Sequence, residues 1–145
     1  MNAPDLTQRP PRSPRTRLAG YTVLPRVLDK ARASIAGTAG QYKFNNPLDQ
    51  VLFGFAGVNA AEFLARAKTG AGDFEFSQWF AAKSGKAPHE VAAWSAWTET
   101  FVDGDLETRE WLTGRIKEMD ARRTDIVSLF DYLEFDDYLS FGGTP

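Results

Sequence analysis

Basic side chains are concentrated at the start of the chain, where their types and spacing suit the binding of an anion. Residues 1–43 carry eight Lys and Arg against two acidic residues, a net charge of +6. Residues 44–145 carry nine against seventeen, a net charge of −8. Arginine side chains pair with phosphate or carboxylate oxygens in bidentate fashion. The predicted anion-binding residues are Arg12, Arg15, Arg17, Arg26 and Lys30.

The same arginines also suit an internal role. After Arg123 no basic residue follows, whereas five acidic residues do: Asp125, Asp131, Glu134, Asp136 and Asp137. The N-terminal arginines could therefore pair with acidic groups of the later part of the chain. The charge asymmetry fits either an anionic partner or docking of one end of the chain on the other.

Groups able to perform acid–base or nucleophilic chemistry form no recognisable catalytic set. His89 is the only histidine, and no G-x-S-x-G pattern is present to supply a nucleophilic serine. An acid or base site drawn from Asp29, Lys30, Tyr42 and Asp49 stays open as an alternative. Asp49 also lies three residues after Asn46, which suits a helix cap. We assign no catalytic residue.

Ligand sets for metals and cofactors are incomplete. One histidine and no cysteine leave out the usual zinc sites. Asp103-Gly104-Asp105 resembles the start of a calcium loop but has Gly114 where such a loop needs Glu. The glycine spacings Gly37-x-x-Gly40 and Gly70-x-Gly72 match neither G-x-G-x-x-G nor the P-loop. We therefore predict no metal and no cofactor.

The residues above depend on a helical framework for their positions. Leu24, Val27, Leu28, Ala31 and Ile35 follow a 3.6-residue period, Pro25 suits a first helical turn, and Gly37 suits the C-terminal cap. Arg26, Asp29 and Lys30 fall opposite this apolar stripe. We therefore expect Arg26 and Lys30 to be exposed.

Caps and turns predict the other helices, and no alternating strand pattern competes with them. The predicted starts are Asn46-Pro47 for a helix ending near Gly57, Asn59 with Glu62 as a capping box, Asp73, Pro88, Asp103-Gly104-Asp105 and Thr124. Val58 and Phe63 have the spacing of a hydrophobic staple around the Asn59 cap. The helix after Asp105 has Leu112, Ile116 and Met119 on one face, and the last helix runs through Leu133 with Ile126, Val127, Phe130 and Leu133 inward. The predicted fold is all-α, a compact bundle of six to seven short helices with an extended Pro/Arg-rich N-terminal arm. Residues 1–20 form the arm and 21–145 a single helical domain.

The first third of the chain resembles a known family. The resemblance lies in Asp5-Leu6-Thr7, Pro11-Arg12-Ser13-Pro14-Arg15, Leu24-Pro25-Arg26 running into Leu28-Asp29-Lys30-Ala31-Arg32, Gly40-Gln41-Tyr42-Lys43-Phe44 and Pro47-Leu48-Asp49. This series, over about residues 5–50, is similar to the bacterial family catalogued as domain of unknown function 5069. The resemblance implies a small bacterial protein and supplies no activity. Family members are expected often to have cysteine where this chain has Asn46.

The leading hypothesis is a non-enzymatic binding or regulatory module whose basic N-terminal segment contacts an anionic small molecule or an acidic protein surface. The first alternative is a structural homo-oligomer, with the arm packed internally and the tryptophan-rich helices at the interface.

The helix predicted at Pro88 starts without the Arg, Lys, Gln and Asn that read base edges, which argues against sequence-specific DNA binding. No apolar stretch suits a signal peptide or a membrane span, so we expect a cytoplasmic protein and, from its aromatic content, a homodimer.

Overall fold

The computed structural model describes residues 3–101 and 106–145. Within these ranges the chain forms seven α-helices and no strand, which confirms the all-α prediction. The predicted turn at Asp103-Gly104-Asp105 lies outside the described residues. The helices are α1 (Leu24–Ala36), α2 (Pro47–Ala56), α3 (Ala60–Lys68), α4 (Asp73–Ser84), α5 (Pro88–Glu99), α6 (Leu106–Asp120) and α7 (Leu129–Ser140).

The chain divides into two compact units, residues 1–95 and residues 96–145. The first unit carries twelve basic and seven acidic residues, for a net charge of +5, and the second carries five and twelve, for −7. The two units therefore carry net charges of opposite sign. The boundary predicted between an arm and a domain at residue 20 stays a prediction.

The first helices begin and end where their capping residues predict. Gly37 ends α1 with a φ of 74°, a left-handed conformation that glycine adopts without the Cβ penalty. The side chains of Asn46 and Asn59 each accept a hydrogen bond at 2.9 Å from the backbone N–H of the third helical residue, Asp49 and Glu62. Both helices thus start in a capping box, as the sequence spacing predicts.

Aromatic side chains fill the core of the first unit. Phe63 of α3 is fully buried. Its ring centroid lies 4.8–6.0 Å from those of Phe44, Phe53, Phe76 and Phe80. These are the separations at which tilted and edge-on aromatic pairs attract each other beyond simple burial. Phe63 is therefore the side chain through which α2, α3 and α4 share one core.

The last helix is displaced from its predicted position. α7 begins at Leu129 and ends at Ser140, and not between Thr124 and Leu133. Ser128 caps it: its Oγ accepts from the Asp131 N–H at 3.1 Å, and the Asp131 carboxylate accepts from the Ser128 N–H at 3.0 Å. This capping box satisfies two backbone donors, which a cap at Thr124 did not offer. Val127, expected inward, precedes the helix and is 65% exposed.

The second unit has a small core between its two complete helices. Leu112 and Ile116 of α6 are buried together with Tyr132 of α7. Met119 packs against them partly buried, so the face that the sequence predicts for α6 is confirmed.

An extended N-terminal arm is not confirmed. We call residues 3–22 the N-terminal segment; it contains turns and no helix. The Leu6 N–H donates to the Thr38 carbonyl at 2.9 Å, and the Val23 N–H donates to the Pro14 carbonyl at 2.9 Å. Leu6 is buried. The segment is thus packed on both ends of α1.

The backbone is strained where the N-terminal segment meets α1. Val23 has φ 71° and ψ −35°, and the Leu24 N–H donates to the Thr22 carbonyl at 2.8 Å. These features define a classic γ-turn, which is rare. A β-branched residue at positive φ is unfavourable by about 1–3 kcal/mol. The contacts around the fully buried Val23 must hold it in this conformation.

Candidate anion-binding site

Arg12 is held against α1 by a forked ion pair. Its Nε and Nη2 donate to the two carboxylate oxygens of Asp29 at 3.0 and 2.9 Å. The backbone N–H of Arg12 donates to the same carboxylate at 2.9 Å. Charge-assisted bidentate pairs are stronger and more directional than neutral hydrogen bonds. Asp29 therefore fixes both the side chain and the backbone of the N-terminal segment at Arg12.

Asp73, the first residue of α4, joins Arg12 to Arg32 of α1. Nη1 of Arg12 donates to one Asp73 oxygen at 2.6 Å, and Nη1 of Arg32 donates to the other at 2.7 Å. Burial raises the pKa of Asp73, but the hydrogen bonds from the two arginines outweigh it and hold that pKa below its ordinary value. With Asp29 included, two cations face two anions.

Lys30 and Asp49 form a buried ion pair between α1 and the start of α2. Lys30 Nζ lies 2.6 Å from Asp49 Oδ1, and the two side chains are 2% and 1% exposed. Lys30 Nζ also donates to the Lys43 carbonyl at 3.2 Å, and Asp49 Oδ2 accepts from the Asn45 N–H at 2.8 Å. Burial raises the pKa of Asp49, and the Lys30 ammonium opposes this rise without cancelling it. The pair links α1 to α2.

The prediction that Arg26 and Lys30 are exposed is wrong, because they are 4% and 1% exposed. Nη1 of Arg26 donates to the Arg12 carbonyl at 3.3 Å. Its guanidinium lies 5.7 Å from the centroid of the Tyr42 ring, within the range of a cation–π contact. The helical period correctly identifies the apolar face of α1. It carries no information about the segments that cover the opposite face.

The remaining predicted ligands lie further along the N-terminal segment. Arg17 is exposed and Arg15 is half-buried. The backbone N–H of Arg15 donates to Ser13 Oγ at 3.1 Å, which fixes the turn that follows Arg12. The structure therefore brings Arg12, Arg26 and Lys30 to the polar face of α1, and Arg17 is the exposed member of the predicted set. Whether this set binds an anion stays a prediction.

Three contacts engage the residues of the acid–base alternative. Lys30 and Asp49 are paired with each other, while Asp29 is paired with Arg12 and Tyr42 lies against Arg26. The Lys30–Asp49 pair is too buried to meet a substrate in this conformation.

Two residues of this region, Arg32 and Asp73, were not predicted from the sequence to belong to the site. Arg32 lies three residues after Asp29, so the helical spacing could have placed it on the same polar face. Asp73 could not have been found, because its partners lie 61 and 41 residues away and no local pattern connects them. Nε of Arg32 is buried and has no partner among the described residues.

Two further features of the described residues concern metal ligands and membrane-spanning helices. No group of three or more His, Asp and Glu side chains in residues 3–101 and 106–145 lies close enough together to hold a metal ion. None of the helices in these ranges combines the length and the apolar character that crossing a membrane requires.

The chain matches the model of one protein family, described as a domain of unknown function (DUF5069), over residues 8–139. The match confirms the resemblance found in residues 5–50 and extends it through most of α7. No curated protein matches the chain.

Proposed function

Since the chain belongs to the DUF5069 family, whose description names no activity, we propose from its residues that it is a non-enzymatic binding module. Its basic N-terminal segment contacts an anionic ligand or an acidic protein surface. The observation that carries this proposal is the Asp29 carboxylate, which holds both the side chain and the backbone of Arg12. Arg15 and Arg17 follow this fixed point by three and five residues. A segment already ordered loses less conformational entropy when it binds.

The charge of the first unit also supports the proposal. Arg12, Lys30 and Arg32 are balanced by Asp29, Asp49 and Asp73, yet the unit as a whole keeps a net charge of +5. A net positive unit attracts anions over distances of about 10 Å at ordinary ionic strength. Within the predicted set, the buried Arg26 and Lys30 act as supports. Arg12, whose guanidinium is bound by Asp29 and Asp73, anchors the segment, and the contacts to the partner come from Arg15 and Arg17.

We expect the double variant Arg15→Gln/Arg17→Gln to bind anions at least about tenfold more weakly than the wild type, because two charge-assisted contacts are lost. The probes are inorganic phosphate, ATP, a short single-stranded RNA and polyglutamate, each tested at low salt. Melting curves measure binding, since a ligand at a hundredfold excess over its Kd stabilises by about 2.7 kcal/mol. Raising the salt concentration should weaken the effect.

The matched control is Lys68→Gln/Lys83→Gln, which removes two exposed charges from the same unit. It should retain the binding of the wild type within about twofold if the site is local. Equal loss in both double variants would indicate a diffuse charge effect, and no shift with any probe would refute the proposal.

Self-association is the second candidate function, favoured by the exposed aromatic residues of the second unit. Trp97 and Trp111 are 49% and 50% exposed. Aromatic residues are enriched at subunit interfaces. The N-terminal segment packed on α1 agrees with the same alternative. A homodimer would bury these side chains.

Sedimentation velocity at tens of micromolar chain is expected to show a dimer that Trp97→Ser/Trp111→Ser converts to monomer. Phe74→Ser is the control, because Phe74 is exposed in the first unit. Wild-type protein that sediments only as monomer at this concentration would exclude self-association with a Kd of about 10 µM or tighter.

A further inference from the structure

One face of α6 combines acidic side chains with a tryptophan and lies at the surface. Glu107, Glu110, Trp111 and Gly114 are all exposed. Each of them is three or four residues from two of the others, so the four are neighbours on the helix surface. We call these four residues the α6 patch. The unit that carries the patch has a net charge of −7, so a partner that docks there is expected to be basic.

Trp111 is the residue of the patch that suits the role of an anchor. Its ring centroid lies 5.6 Å from that of the buried Tyr132, at an interplanar angle of 72°, and Trp111 is still 50% exposed. This edge-on contact holds the ring in place before a partner arrives. A Cβ at Gly114 would meet no heavy atom of the described residues within 4 Å, apart from the helix backbone around it. A partner side chain therefore has room to lie against the indole ring.

The basic side chains of the first unit match the chemistry of the α6 patch. Arginine both forms bidentate pairs with carboxylates and stacks on tryptophan rings. Arg15 and Arg17 follow the point at which Asp29 fixes Arg12, in a unit with a net charge of +5. Tryptophan and arginine are also the residues in which the hot spots of interfaces are enriched. A contact between this segment of one copy and the α6 patch of another therefore joins opposite charges around a tryptophan.

A contact between two α6 patches is less favourable, because it brings together two units that each have a net charge of −7. A reciprocal contact avoids this repulsion. In a two-fold dimer, every contact of one residue with a different residue of the partner is matched by the reverse contact. Each copy then offers its first unit to the patch of the other copy, and both contacts join opposite charges.

We propose that the acidic surface recognised by Arg15 and Arg17 is the α6 patch of a second copy of this chain, so that two copies form a reciprocal dimer. The inference rests on the proposed function, since it uses the same two arginines, and it names their partner. Glu107 and Glu110 pair with the arginines of the other copy, and Trp111 packs against a guanidinium. Because the contact is between charged groups at a surface, raising the salt concentration weakens the dimer.

Charge reversal on each side of the contact tests the dimer in the full chain. One variant is Arg15→Glu/Arg17→Glu, and the other is Glu107→Lys/Glu110→Lys. The wild type should sediment as a dimer at tens of micromolar chain and low salt, and each variant alone as a monomer, because both of its contacts then join like charges. An equimolar mixture of the two variants should sediment as a dimer again, since each contact then joins opposite charges. A monomeric wild type, a variant that dimerises alone or a mixture that stays monomeric would overturn the proposal.

Gly114→Gln probes the patch without changing a charge. Glutamine favours a helix more than glycine does, so the change does not weaken the fold. The Kd of the dimer should nevertheless rise at least about tenfold, because the new side chain fills the space beside Trp111. Gly54→Gln is the matched control, since Gly54 lies within α2, is exposed and has the same open space around it. An equal Kd for the two glycine variants would show that the α6 patch is not the interface.

Anion binding by the same samples separates this inference from the proposed function. Glu107→Lys/Glu110→Lys keeps Arg15 and Arg17, so it should bind inorganic phosphate and ATP at least as tightly as the wild type. A wild type that binds these probes and stays monomeric would refute the reciprocal dimer and leave the proposed function standing. Restored dimerisation in the mixture, by a protein that binds neither probe, would support the dimer and exclude the small anion as ligand.

Discussion

Replacing Lys30 with Met is expected to lower the free energy of unfolding by about 3–5 kcal/mol, measured by urea denaturation at pH 7. The Asp49 carboxylate would lose the ammonium that lies 2.6 Å away and stay buried at 1% exposure. An uncompensated buried charge is costly because water no longer solvates it, and the two backbone N–H groups of Asn45 and Asn46 compensate it only partly.

A double-mutant cycle separates the loss of the pair from the loss of packing. Asp49→Asn alone should also destabilise, since it leaves the Lys30 ammonium unpaired and weakens the α2 capping box. The variant Lys30→Met/Asp49→Asn should cost clearly less than the sum of the two single changes, because no buried charge remains in it. The matched control is Lys83→Met, which breaks the exposed Lys83–Glu62 pair at a cost of about 0–1 kcal/mol. Similar losses for Lys30→Met and Lys83→Met would contradict a buried role.

Helix boundaries were predictable from sequence where local capping chemistry is unambiguous. Asn46 and Asn59 each have an acidic residue three positions later, and the capping boxes observed are the ones that this spacing predicts. At the last helix two cap candidates compete. Thr124 precedes an apolar run, but Ser128 with Asp131 satisfies more backbone donors and sets the start of α7. Choosing between them requires knowing which of Ile126 and Val127 is buried, which is a tertiary property.

The candidate site was predictable in its residue types and unpredictable in its pairing. The spacing of Arg12, Arg26 and Lys30 marks a basic region, because charge is a property of the sequence itself. The partners of these residues depend on where Asp49 and Asp73 come to lie after folding. Both acids lie at a helix start: the Asp49 side chain completes the capping box of α2, whereas Asp73 is the first residue of α4 and makes no side-chain cap. Each carboxylate also has a long-range basic partner. Burial of the polar face of α1 follows from the same long-range pairing.

The aromatic core shows a similar division between local and tertiary information. The sequence predicts Phe63 as one half of a hydrophobic staple with Val58, and both side chains are buried. The position of Phe63 among four other rings results from the packing of α2, α3 and α4 and has no counterpart in a local pattern.

Phe63→Ala is therefore expected to lower the free energy of unfolding by about 3–5 kcal/mol, the range for removing a fully buried phenylalanine side chain. Part of the loss is the cavity left among the rings, and part is the loss of aromatic pairing worth about 0.5–1.5 kcal/mol for each favourable pair. Phe63→Leu, which fills most of the volume, should recover more than half of the lost free energy.

The control is Phe74→Ala, the same change at a side chain that is 74% exposed in the same unit. It should shift the free energy of unfolding by no more than about 0.5 kcal/mol, since little surface is returned to water. Urea denaturation of the three variants beside the wild type measures both quantities. If Phe63→Ala and Phe74→Ala differed by less than about 1 kcal/mol, the rings around Phe63 would not be the core of this unit.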